Sequence, residues 1–252
     1  MAKGPKFTEL PLFSLLHSEP AAEADDDADA PASFAESVVQ ADSAQAKMAF
    51  LLRLRARGIA DLNILRALET IPRENFAPHR YRDLALREVA LPIACGQTMS
   101  EPWLTARMIE ALDLTPIHHV LEIGSGSGFA TAILARLSAR VVSVERFRSL
   151  SVEAATRLAH LGLTNVEVLW GDGLALPPEQ GPFDRILVHG TIEGLPEALF
   201  SLLADGGSIV TGRATAQGVR IVRLSHGAAG VVEDDICAGR LRPLIPGVAA
   251  VL

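Results

Sequence analysis

The chain has 252 residues, enough to bury the core of one ordinary domain and to carry an appendage. With 49% hydrophobic and 21% charged residues it has a globular composition rather than a disordered one. The net charge of −7 lies entirely in residues 1–46, which hold nine acidic and two basic side chains. The neutral remainder has no basic excess for a phosphate backbone, so we expect no nucleic-acid binding.

Several features bear on location. No apolar run approaches the roughly 20 residues that a membrane-spanning helix needs, so no membrane association is expected. The apolar stretch at residues 11–16 is too short for a signal-peptide core and is followed by acidic residues. Cys95 and Cys237 lie far apart, which favours two reduced thiols over a disulfide framework or a metal site. These observations predict a cytoplasmic protein without a metal.

Residues 1–46 are predicted to be a flexible acidic tail. Residues 17–45 are rich in Ala, Asp, Glu, Ser and Pro and cannot offset their ordering entropy by burial. The apolar segment at 7–16 is too short to form a core alone, so it stays exposed, folds back on the domain or binds a protein partner. A partner contact and an extension without function are both compatible with this pattern.

Residues 47–252 are predicted to be one folded domain. Apolar residues recur at helical spacing between Met48 and Leu68, broken by Gly58 and ended by Pro72. A third helix is expected over 101–112, after an extended segment and loop at 91–98. Residues 47–115 therefore read as a helical subdomain on the substrate side of a larger body.

From His119 onward the chain alternates between strands and helices. Strands are expected at 120–123, 141–145, 166–170, 185–188 and 208–211, with helices at 131–137, 150–161 and 196–203. This alternation predicts an α/β fold with a doubly wound, mostly parallel sheet covered on both faces over 116–252. Extended stretches at 219–224 and 230–244 predict an antiparallel finish to the same sheet.

A glycine motif closes the first of these strands, and residues 120–128 read Val-Leu-Glu-Ile-Gly-Ser-Gly-Ser-Gly. Such loops lie beyond the carboxyl ends of the strands, where ligands bind in doubly wound sheets. A dinucleotide fingerprint would need glycine at 129, where this chain has Phe129. The pattern of Glu122, Gly124, Gly126 and Gly128 instead resembles the S-adenosylmethionine loop of the Rossmann-like class I methyltransferases. In that setting Glu122 suits a ligand carrying an ammonium group.

Two further carboxylates follow neighbouring strands. Glu145 ends the second strand, where it would accept hydrogen bonds from both ribose hydroxyls. Asp172, followed by Gly173, comes after the third strand and would accept from the adenine amino group. Each acid alone is more often a solvated strand-end residue, but three acids at three strand ends suit one nucleoside ligand.

Residues 96–102, Gly-Gln-Thr-Met-Ser-Glu-Pro, carry the more specific signal. They resemble the Gly-Gln-Thr-Ile-Ser-x-Pro loop of the protein-L-isoaspartate O-methyltransferases, and the likeness extends from about residue 48 to about 212. It includes residues 57–61, 71–78, 171–173 and 182–184. The resemblance implies that Ser100 is the active-site serine and that Thr98 is its neighbour in the substrate loop. Judged without the family, Ser100 before Glu101 and Pro102 suits a helix N-cap.

The implied reaction is methyl transfer to an L-isoaspartyl carboxylate of a protein or peptide. Such a carboxylate is ionised at neutral pH and needs no general base. The likeness weakens at His189, where the family has a run of Thr and Ala. His189 is either a partly buried structural histidine or a base for a hydroxyl or amine acceptor. A related methyltransferase with another acceptor and a non-catalytic scaffold subunit remain alternatives.

Overall fold

The computed structural model describes residues 8–9, 34–194, 197–227 and 230–249. Most of the apolar segment at 7–16 and all of residues 17–33 lie outside the described residues. The prediction that this part of the tail is flexible therefore stays a prediction. Thr8 and Glu9 form a short strand, so a part of the predicted partner-binding segment pairs with its own domain. Among the helices of the described ranges, none is long and apolar enough to cross a membrane.

Six α-helices are present in the described part of the chain. They are α1 (Phe34–Ala56), α2 (Leu62–Thr70), α3 (Pro102–Ala111), α4 (Phe129–Leu137), α5 (Arg148–His160) and α6 (Glu197–Phe200). The strands are β1 (Thr8–Glu9), β2 (Leu91–Pro92), β3 (Thr98–Met99), β4 (His119–Ile123), β5 (Arg140–Glu145), β6 (Val166–Trp170), β7 (Phe183–Ile192), β8 (Leu203–Thr215), β9 (Gly218–Gly227) and β10 (Gly230–Gly239).

Eight strands form one sheet in the order β1-β6-β5-β4-β7-β8-β9-β10. The central strands β6, β5, β4, β7 and β8 run parallel, while β9 and β10 continue the sheet antiparallel. β1 adds an antiparallel strand to β6 at the opposite edge. The expected α/β class I methyltransferase fold with an antiparallel finish is confirmed.

The strands are apolar on both sides because each side faces a separate core. Val120 and Leu187 belong to one buried cluster, whereas their neighbours Leu121 and Ile186 belong to another. The first cluster also contains buried side chains of α1 to α5, and the second contains Leu199 of α6. Since successive strand residues point to opposite faces, this alternation shows that both faces of the sheet are covered.

Two elements end at residues other than those predicted from the sequence. The stretch expected to be extended over 230–244 ends as a strand at Gly239, because the chain beyond it pairs with Thr191 of β7 instead of with β9. The helix expected over 196–203 is the short α6. It stops early because Leu202 accepts a hydrogen bond from Phe183 N–H at 2.8 Å and Leu203 begins β8.

The tail boundary expected at residues 46 and 47 falls inside α1, which begins at Phe34. Residues 34–46 are therefore helical. The region expected at 47–115 contains α2 and α3, together with the small hairpin β2–β3. Its separation from residues 116–252 as a subdomain stays a prediction.

The side chain of Asn165, which directly precedes β6, connects the sheet to the end of α4. Its side-chain amide donates to the carbonyls of Ala135 and Ser138 at 2.9 and 3.1 Å, at the end of α4. We expect Asn165→Ala to lower the free energy of unfolding by about 1–3 kcal/mol, because it leaves helix-end carbonyls without their donor. Chemical denaturation measures this change.

The matched control is Asn63→Ala, since Asn63 is exposed and its side chain takes part in none of the hydrogen bonds found in the described ranges. A surface change of this kind should stay within about 0.5 kcal/mol. Equal stabilities of the two variants would show that the Asn165 amide does not hold the helix end.

Candidate active site

A cavity of about 980 Å³ opens at the carboxyl ends of the parallel strands. One wall is the substrate loop, defined as residues 97–101. Another is the glycine loop, defined as residues 124–128. His189 and residues 238–242 also line the cavity. The structure thus brings these two loops, which are separated by 22 residues in the sequence, to one site.

The glycine loop takes its shape from backbone angles that favour glycine. Gly124 and Gly128 have φ values of +91° and +88°, in the left-handed region. A Cβ atom on Gly128 would come within 3.1 Å of the Cβ of Ala154 in α5. Gly128 is also the N-cap residue of α4, so the loop turns directly into the helix.

Glu122 of β4 lies beneath the cavity. Its side chain is fully buried, and its Oε2 accepts hydrogen bonds from Thr131 Oγ1 and Ser143 Oγ, both at 2.5 Å. Its Oε1 lies 3.0 Å from His189 Nε2. In this structure the carboxylate is enclosed by polar groups of the protein itself, and its predicted interaction with a ligand ammonium stays a prediction. The carboxylate holds α4, β5 and β7 together under the glycine loop.

Glu145, at the end of β5, supports the same loop. Its carboxylate accepts hydrogen bonds from Gly126 N–H at 2.9 Å and Phe147 N–H at 3.0 Å. Burial raises the pKa of this carboxyl group above its usual value, and the backbone donors partly oppose that shift. A carboxylate kept from water in this way gains from any further donor, which is what ribose hydroxyls provide.

Asp172, after β6, has a hydrogen bond on each oxygen. Its Oδ1 accepts from Leu174 N–H at 2.9 Å, and its Oδ2 accepts from Gly247 N–H at 2.6 Å. The next residue, Gly173, packs so closely that a Cβ there would lie 2.5 Å from Ile123 Cγ2. The loop after β6 is thereby pressed against the end of β4.

The substrate loop places Ser100 and Thr98 in the cavity wall. Thr98 is exposed on β3, which pairs with β2, and Ser100 is partly exposed just beyond it. The N-cap of α3 is Glu101, and no side chain caps this helix. Within the described ranges the Ser100 hydroxyl has no hydrogen-bond partner. Capping therefore does not account for Ser100, whose hydroxyl is available to a ligand.

His189 has features of a structural histidine and also features of a catalytic base. Its side chain is 13% exposed and lines the cavity, as a base would, yet its Nε2 is directed at the buried Glu122 carboxylate. A neutral imidazole with its proton on Nε2 can donate a hydrogen bond to this carboxylate. The contact gives His189 a structural partner in the core of the site.

Arg73 supports the substrate loop, a role that the sequence did not predict. It appeared in the sequence analysis only within residues 71–78, one of the stretches that resemble the family. Its guanidinium is almost fully buried and donates to the backbone carbonyls of Ala85, Val89 and Ser100. Burial lowers its pKa to about 10, with an opposing contribution from Glu88. The charge therefore remains at neutral pH, and it ties the substrate loop to the segment preceding it. The local sequence gives no sign of this role, because all three acceptors are backbone atoms of other segments.

No group of three or more possible metal ligands is found among the described residues. The two cysteines are free.

Comparisons with known proteins agree with this geometry. The family model for protein-L-isoaspartate(D-aspartate) O-methyltransferase matches residues 45–237. A protein-L-isoaspartate O-methyltransferase 2 of Rhodopseudomonas palustris strain HaA2 is 46% identical over 204 residues, covering 81% of this chain and 94% of the relative. A protein-L-isoaspartate O-methyltransferase of Xanthobacter autotrophicus strain Py2 is 48% identical over 207 residues, covering 82% and 94%.

Solved structures share the fold. A Plasmodium falciparum structure, described as a protein-L-isoaspartate O-methyltransferase in complex with S-adenosyl-L-homocysteine, aligns with a TM-score of 0.69 at 21% identity, covering 78% of this chain and 97% of that one. A second structure of that enzyme name aligns with a TM-score of 0.68 at 26% identity, covering 78% and 65%.

The role of Arg73 is testable. We expect Arg73→Met to increase amide hydrogen exchange across the substrate loop, because three carbonyls lose a charged donor. The loss of one such bond is worth about 1.5–3 kcal/mol, so the free energy of unfolding should fall by at least that amount.

Arg66→Met is the matched control, since Arg66 is exposed on α2 and its side chain makes none of the side-chain hydrogen bonds found in the described ranges. Exchange that rises equally in both variants, or in neither, would contradict a specific tether from Arg73 to Ser100.

Proposed function

Since the chain belongs to the protein-L-isoaspartate O-methyltransferase family, we propose that it transfers a methyl group from S-adenosylmethionine to the carboxylate of L-isoaspartyl residues in proteins or peptides. The observation that carries this proposal is the shared cavity: the loop with Ser100 faces the glycine loop across it. A cofactor and a peptide carboxylate can therefore meet there.

The residues present fit S-adenosylmethionine. The glycine loop leaves room for a ligand, since a Cβ on Gly126 would approach nothing nearer than Ile93 Cδ1 at 3.5 Å. Glu145 is assigned to the ribose and Asp172, with Gly173, to the adenine. Gly124 and Gly128 shape the loop, and Glu122 supports it from below.

The proposed reaction depends on the alignment of the two reactants more than on acid–base catalysis. The bound cofactor supplies a sulfonium methyl group, whose carbon forms a bond to the substrate oxygen while its bond to sulfur breaks. Since the substrate carboxylate is already ionised, the protein has only to hold its oxygen in line and keep water away. Ser100 and Thr98 provide hydroxyl donors for that carboxylate, and Arg73 fixes the loop that carries them.

An acceptor other than isoaspartate is the second candidate, and His189 is the observation that favours it. His189 lines the cavity where a base would be needed for a hydroxyl or amine. In that case activity should fall at acid pH as the imidazole takes up a proton. Transfer to a carboxylate requires no such loss, and the Glu122 contact already engages the imidazole Nε2.

We further propose a cytoplasmic location, supported by two free cysteines that lie far apart in sequence. A protein partner for the N-terminal apolar segment is also proposed. It is supported by the acidic spacer that follows this segment, although Thr8 and Glu9 pair with β6.

The direct test is methyl transfer to a peptide containing one isoaspartyl residue, with the same peptide containing aspartate as control. We expect transfer to the isoaspartyl peptide alone. Ser100→Ala should lower kcat/KM by about ten- to a hundredfold, as expected for the loss of a hydrogen bond to a charged group, with little effect on cofactor affinity.

Ser201→Ala, in an exposed turn remote from the cavity, is the matched serine control and should behave as wild type. A wild-type protein that methylates no isoaspartyl peptide would refute the proposed acceptor. An unchanged kcat/KM in Ser100→Ala would remove this hydroxyl from the substrate side.

A further inference from the structure

The chain beyond β10 returns across the carboxyl edge of the sheet. It is anchored at β7, where Thr191 N–H donates to Arg242 O at 2.8 Å and Leu244 N–H donates to Thr191 O at 2.9 Å. We call residues 245–249, which follow this anchor, the C-terminal strap. The strap reaches the ends of β5 and β6, so the chain passes from one side of β4 to the other.

Three hydrogen bonds to its backbone hold the strap at its far end. Arg146 Nε donates to Gly247 O at 3.0 Å, and Ala249 N–H donates to Arg146 O at 3.1 Å. Gly247 N–H donates to Asp172 Oδ2 at 2.6 Å. The strap is thus inserted between the residue that follows Glu145 and the carboxylate after β6.

The strap therefore reaches the adenosine end of the proposed cofactor site, because Asp172 is assigned to the adenine and Arg146 directly follows Glu145, which is assigned to the ribose. Asp172 is the acceptor assigned to the adenine amino group, and Gly247 N–H is a donor of the same kind on the same carboxylate. The cavity wall contains the glycine loop and the substrate loop but none of Glu145, Arg146 or Asp172. The open part of the site is therefore the part for the methionine end and the substrate.

The strap is held in a way that permits release. Its apolar side chains Ile245 and Val248 are 58% and 41% exposed, so little hydrophobic burial fixes it. Gly247 has a φ of +80°, a conformation that other residues adopt only with strain. Leu244, at the anchor, packs against the second core of the sheet. The strap can therefore move away from the ends of β5 and β6 while the anchor at β7 stays in place.

We propose that the C-terminal strap occupies the adenine subsite of the cofactor-free protein and has to leave it for S-adenosylmethionine to bind. The inference rests on the assignment of Asp172 to adenine under the proposed function. Only molecules with an open subsite bind the cofactor. The apparent Kd is therefore the intrinsic Kd divided by the fraction of molecules in which the subsite is open. Binding of the nucleoside replaces the Gly247 donor with the adenine amino group.

Two variants test the proposal by calorimetric titration with S-adenosylhomocysteine. Gly247→Pro removes the N–H donor and cannot adopt the positive φ, while truncation after Leu244 removes the strap but keeps the anchor. Both should bind S-adenosylhomocysteine about three- to tenfold more tightly than wild type, the range expected from losing one competing hydrogen bond. Val248→Ala, which keeps every strap hydrogen bond, is the control and should match wild type.

Weaker binding in the two variants would overturn the proposal, because the strap would then be a wall that holds the adenine. Unchanged binding would overturn it too, because nothing would be competing for the subsite. The isoaspartyl peptide assay separates this result from the proposed acceptor. Tighter S-adenosylhomocysteine binding in variants of a protein that methylates no isoaspartyl peptide would support the strap and refute the acceptor.

Discussion

The site depends on a single carboxylate placed inside the protein. Glu122 is fully buried at the end of β4, where a carboxylate without donors would cost several kcal/mol. Thr131 of α4, Ser143 of β5 and His189 of β7 supply those donors. Because each comes from a different element, the carboxylate is satisfied only when three strands and a helix have the right spacing. The glycine loop between β4 and α4 is fixed by the same requirement.

The two halves of the site are held by different means. The cofactor half is built from strand ends, with the Glu145 carboxylate bonded to the glycine loop at Gly126. The substrate half is a loop, and it is held by the buried guanidinium of Arg73 through the Ser100 carbonyl. A half built from strand ends beside a tethered loop suits the proposed reaction, in which alignment of two reactants does most of the catalytic work.

Much of this could be predicted from sequence, because strand periodicity and strand-end residues are local signals. The parallel sheet, the glycine loop and the position of Glu145 follow from such signals. The enclosure of Glu122 does not, since strand alternation alone does not say which donors lie across from it. The Arg73 tether and the contact between Gly247 and Asp172 join residues 27 and 75 positions apart through backbone atoms, which carry no sequence signal.

The measurement that tests this account most directly is the combined stability and S-adenosylhomocysteine affinity of Glu122→Gln, with Glu69→Gln on the exposed surface of α2 as control. The amide keeps the size of the side chain but cannot accept from all three donors. The account predicts a loss of about 1–3 kcal/mol in unfolding free energy for a buried donor left unpaired, together with weaker binding. Wild-type stability and affinity in Glu122→Gln would contradict it.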